Sequence, residues 1–73
     1  MIREAEVKKA FRVVYEALDK CPDPVNNSEY FDKILRRFLE VDEENRGNKL
    51  VRRLLIGCYE WLTDIAKEKE KSN

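Results

Sequence analysis

This sequence predicts an all-α fold, a small up-down-up bundle of three helices with a long third helix, and three observations carry that reading. Apolar residues recur at spacings of three and four along three separate stretches of the 73-residue chain. Helix-breaking residues fall between the stretches: Pro22 and Pro24 in the first gap, Gly47 in the second. No segment alternates apolar and polar residues with a period of two for more than a few positions, as a strand would. A chain of this length holds one domain, and gaps this short set consecutive helices antiparallel.

The first helix is expected over about 3–20. Val7, Ala10, Phe11, Val14, Ala17, Leu18 and Cys21 stack on one face, with Lys8, Lys9, Arg12, Glu16 and Asp19 opposite. Pro22 ends it, since proline lacks a donor and disfavours helical geometry in the residue before it. The second helix is expected over about 27–42. It starts within Asn26-Asn27-Ser28, whose short side chains can accept an orphan backbone N–H. With Asn26 as the cap, Glu29 would stand in the capping-box relation. Tyr30, Phe31, Ile34, Leu35, Phe38 and Val41 form its stripe, and residues 42–48 are read as the connection.

The third helix is expected over about 48–69, leaving 70–73 as a disordered tail. Val51, Leu54, Cys58, Trp61 and Ile65 mark a heptad-like line, widened by Leu50, Leu55, Leu62 and Ala66. Gly57 interrupts the pattern, and the reading given to it is close approach of a neighbouring helix, with a local kink as the alternative. At 1.5 Å per residue the second helix spans about 22 Å and the third about 33 Å. The third would then overhang by about two turns, carrying Trp61, Leu62 and Ile65 beyond its neighbour.

Inventory removes most chemistries. With no histidine there is no imidazole base and no Ser-His or Cys-His pair, and two lone cysteines do not make a zinc set. Two scattered glycines cannot form a phosphate-cradling loop. The carboxylates fall on solvated faces, where general-acid work is implausible. An enzyme is therefore not expected, nor a cofactor, a metal or a small-molecule substrate. The run Asp42-Glu43-Glu44 lacks the ligand spacing of a calcium loop. It reads better as acids stabilising the start of the next helix.

The charge is balanced, fifteen cations against fifteen acids, so nucleic acid is not the leading partner. One local anomaly runs the other way. Arg46, Lys49, Arg52 and Arg53 gather where cations oppose the helix dipole, with no acid between residues 45 and 59. They form a candidate face for an anionic partner, and a nucleic-acid-binding regulator is the alternative function. The longest apolar stretch is far short of the roughly twenty residues a membrane span requires. The expected location is cytoplasmic, with Cys21 and Cys58 as reduced thiols on core faces.

The more informative surplus is apolar. Val13, Tyr15, Leu39, Ile56 and Tyr59 do not join the stripes, and Ile56 projects between Arg52, Arg53 and Glu60. A small bundle with spare apolar surface tends to self-associate, most often as a twofold dimer. The expected function is a protein–protein interaction module or regulator acting through a helix face. The expected interface is Ile56, Tyr59, Trp61, Leu62 and Ile65, with Trp61 as its anchor.

Overall fold

A computed structural model describes residues 3–71, with side chains to residue 69. Three helices follow one another, α1 (Glu4–Asp19), α2 (Ser28–Glu44) and α3 (Lys49–Lys71), and each packs on the other two. The fold is all-α, as the periodicity requires, and the described residues contain no strand. α3 runs two residues past its expected end, so residues 70 and 71 are helical. The remainder of the expected tail, 72–73, lies outside the described residues.

The ends of the helices are set by asparagine and glycine. Asn27, one residue later than the capping-box reading, caps α2: its Oδ1 accepts the Tyr30 N–H at 2.7 Å. At the other end α2 continues through the acidic run to Glu44, which shortens the connection to residues 45–48. Acids there oppose the helix dipole. Two of the three are held by ion pairs, Glu43 from Arg46 and Asp42 from Arg52. Gly47 then turns the chain at φ 92°, in the left-handed region where a side chain is strained. Asn48 starts α3, its Oδ1 accepting from the N–H groups of Leu50 and Val51, while its Nδ2 donates to the Glu6 carbonyl of α1.

The core is built from Ala10, Val14 and Ala17 of α1, Tyr30, Ile34 and Phe38 of α2, and Val51, Leu55 and Leu62 of α3, with Ala66 also buried. Burying apolar side chains is the main stabilising term in a bundle this small. No buried side-chain polar atom lacks a partner among the described residues. Tyr30 is anchored twice, by its ring in the core and by its hydroxyl, which donates to the Pro22 carbonyl at 2.9 Å. Burial, and then the charges of Cys21 and Asp23, push its phenol above the ordinary value.

Several expected positions are corrected. Phe11 and Leu35 lie on the exposed side of their stripes. On α3 the buried residues are Val51 from the heptad-like line and Leu55, Leu62 and Ala66 from the positions that widen it, so the centre of the stripe is rotated away from Trp61; Trp61 is 56% exposed and Leu62 4%. The overhang is also filled. Lys69 Nζ donates to the Pro24 carbonyl at 3.3 Å, so the connection between α1 and α2 folds alongside the end of α3. Cys21 and Cys58 are both half-buried at the margin of the core, not inside it.

Gly57 is exposed on α3, and a Cβ built there meets nothing within 4 Å, so no helix approaches it. It weakens an otherwise regular helix by conformational entropy alone. Gly57→Ala should therefore stabilise the fold by about 1 kcal/mol. Gly47→Ala, forced into a positive φ, should destabilise it by a similar amount. Urea unfolding of the two variants at one protein concentration measures both, and equal effects of one sign would contradict the assignment.

Candidate functional site

The exposed apolar side chains are not scattered evenly. Leu35 and Leu39 project from α2, and Ile56 from α3, into an open groove of ≈ 630 Å³ between the two helices. Its floor is Phe38 and Leu55, both buried, and half-buried Tyr59 lies along it. The groove forms because α2 and α3 each carry an apolar arc wider than one neighbour can cover. Leu39 and Ile56 remain 58% and 55% exposed after all three helices have packed.

Aromatic rings hold the connection-side end of this face. Tyr30 and Phe31 meet edge-on at 5.0 Å, and Phe31 meets Tyr59 across the helix pair at 5.6 Å. The opposite end is closed by charge. Arg52 Nε and Nη2 donate to the two carboxylate oxygens of Asp42 at 3.3 and 3.2 Å, a two-pronged pair joining α3 to the last turn of α2. This hydrogen bond first, and the Asp42 charge second, hold the Arg52 guanidinium above its ordinary value. Glu60 stands on the rim two turns further along α3, and among the described residues it has no ion-pair partner.

The expected interface residues separate into two surfaces. At 100° per residue Ile56 and Trp61 lie about 140° apart round α3. Ile56 and Tyr59 line the α2 side of the groove. Trp61 and Ile65 point to the opposite flank, and Leu62 lies in the core, on the wider arc between the two flanks. Leu62 is thus a packing residue and not available to a partner. Leu35 and Leu39 complete the groove, and sequence reasoning missed them as its second wall. Leu39 carries a signal in the sequence as an off-stripe leucine, whereas Leu35 sits on the stripe and looks like core.

The basic start of α3 is brought together only in part. Arg46 pairs with Glu43 and Arg52 with Asp42, while Lys49 and Arg53 have no ion-pair partner among the described residues. The four cations thus divide into two that are engaged within the bundle and two that are open. A second, polar cleft lies between α1 and α2, lined among others by Glu16, Lys20, Arg37, Glu40 and Glu44, so it carries charges of both signs. No cluster of three or more metal-ligating side chains occurs among the described residues. No described helix is long and apolar enough to cross a membrane.

The thiols give a chemical readout of the core margin. Cys21 Sγ donates to the Ala17 carbonyl at 3.2 Å. Burial raises its pKa, with Arg37 pulling the other way; burial, then the Cys21 charge, raises that of Cys58. Folded thiols that hold their protons more tightly than unfolded ones make stability fall as pH rises through the ordinary thiol range. Labelling by a thiol reagent should accordingly be slow at neutral pH and accelerate above that range, with fold stability declining over the same interval. A labelling rate already at the unstructured-peptide level at pH 7 would contradict this.

The chain matches no known family model, and neither curated proteins nor solved structures provide a similar protein.

Proposed function

We propose that this chain is a small cytosolic protein–protein interaction module that works by presenting a helix face and that associates with a second copy of itself. The observation that carries the reading is the α2–α3 groove, with Leu35, Leu39 and Ile56 exposed together above a floor of Phe38 and Leu55. A contiguous apolar surface on a small chain costs solvation free energy until a partner covers it. Its anatomy, an apolar centre with charges at the rim, is that of protein interfaces. Zero formal net charge removes the general repulsion that keeps copies of a chain apart. The unpaired thiols fit a reducing compartment.

Two surface substitutions test the reading. Leu39→Asp places a carboxylate in the groove, and Tyr15→Asp places one on α1, where Tyr15 is 69% exposed and lies outside the groove. Sedimentation equilibrium should show that Leu39→Asp abolishes self-association while Tyr15→Asp leaves it intact. Equal behaviour of the two variants would remove the groove from the proposal.

A further inference from the structure

The groove face carries a pattern that fits a reversed copy of itself. Arg52, Ile56 and Glu60 lie at i, i+4 and i+8 on one ridge of α3, and all three line the groove. Each step is about 6 Å along the helix, so Arg52 and Glu60 flank Ile56 at equal distances with opposite charges. We infer that the occupant of the groove is a second copy of this chain, docked about a twofold axis that passes level with Ile56 and perpendicular to α3. The inference rests on the self-association proposed above. It adds the symmetry, the register and the residues that select the partner.

Such an axis reverses α3, because rotation carries each position above Ile56 to the same height below it. Arg52 of one copy then faces Glu60 of the other, and the contact is made twice. α2 obeys the same axis. Counting four residues from the Arg52–Asp42 contact, or three from the Tyr59–Phe31 contact, sets Ile56 level with the stretch between Ile34 and Phe38. The midpoint of Leu35 and Leu39 falls within that stretch. Leu35 of one copy thus comes opposite Leu39 of the other, and the two exposed leucines of α2 cover each other while Ile56 meets its own counterpart. A parallel pairing would set Arg52 against Arg52 and Glu60 against Glu60.

Arg52 is prepared for the second carboxylate. Its Nε and Nη2 are occupied by Asp42, which fixes the guanidinium plane and leaves the Nη1 hydrogens for an acceptor from outside. Less side-chain freedom is lost on binding when the group is already held. Glu60, with no ion-pair partner among the described residues of its own chain, supplies the acceptor. The face is two helices wide and as long as α2, about 20 by 26 Å. That projects to roughly 500 Å² per partner, about 1,000 Å² for the pair, which meets the lower bound for a specific interface.

Charge reversal tests the register. Glu60→Arg disturbs no ion pair among the described residues and sets the introduced guanidinium against Arg52 at both contacts, so dimer Kd should rise about tenfold or more. Arg52→Glu sets the introduced carboxylate against Glu60 and should do the same. An equimolar mixture of the two variants should recover a dimer containing one copy of each. In that pair the introduced carboxylate meets the introduced guanidinium, and the remaining native Glu60 meets the remaining native Arg52. Added salt should weaken the wild-type dimer and strengthen that of Glu60→Arg, since screening acts on attraction and repulsion alike. This salt reversal tests the register even if Arg52→Glu, which sets a carboxylate beside Asp42, does not fold. If the wild type dimerises but Glu60→Arg leaves its Kd and salt response unchanged, the register is overturned and self-association stands. A wild type that stays monomeric overturns both.

Discussion

Phe38→Ala is expected to remove a large share of the chain's stability. Phe38 is buried in the centre of α2, where it packs in the core and also floors the groove. Deleting a buried Phe side chain costs about 3–5 kcal/mol, the lost transfer free energy plus the cavity left behind. A 73-residue domain has only about 4–11 kcal/mol of total stability. The substitution therefore removes a large share of it, and the melting temperature should fall by more than about 12 °C. Thermal unfolding followed by far-UV circular dichroism, at a fixed low protein concentration, makes the comparison. A loss under about 1 kcal/mol would mean that α2 is rotated from the orientation described.

Leu62→Ala and Trp61→Ala should differ sharply although the residues are adjacent. Leu62 is almost wholly buried and Trp61 more than half exposed. The leucine substitution should cost about 2–5 kcal/mol. The tryptophan substitution, which removes the larger side chain, should cost under about 1 kcal/mol. Denaturant midpoints of the two variants decide the matter. If Trp61→Ala proves the more damaging, the buried line of α3 runs through Trp61 and not through Leu62.

That pair also shows where the sequence is legible and where it is not. Three helices can be read because their apolar residues repeat at helical spacing and because prolines and Gly47 stand between them. The rotation of α3 cannot be read. Val51, Leu54, Cys58, Trp61 and Ile65 offer one line, and Leu55, Leu62 and Ala66, each one position further on, another about a quarter-turn away. Only the position of the neighbouring helices chooses between them. Gly57 misleads for a related reason, since a glycine flanked by apolar residues looks the same whether its side faces a helix or water.

The candidate site is legible in fragments. Ile56 and Leu39 stand out singly as residues off their stripes, but seventeen positions separate them and no local rule pairs them. Arg52 and Asp42, ten residues apart across a turn, fall outside the i, i+4 spacing that identifies ion pairs within one helix. Arg52 therefore reads as part of a basic cluster at the start of α3. In the fold it is tied to the end of α2, and two of the four cations of that cluster are engaged in this way or by Glu43. Tertiary packing places Leu35, Leu39, Ile56 and Tyr59 in one groove and sends Trp61 to the opposite flank.

An α2–α3 groove filled by a second copy would make the chain a dimer in solution. The most direct test is the molar mass of the wild-type chain in solution, followed by sedimentation equilibrium from micromolar concentration upward. A closed twofold pair requires a mass that rises from 8.7 kDa toward twice that value and stops there. A mass fixed at 8.7 kDa at every concentration would contradict it.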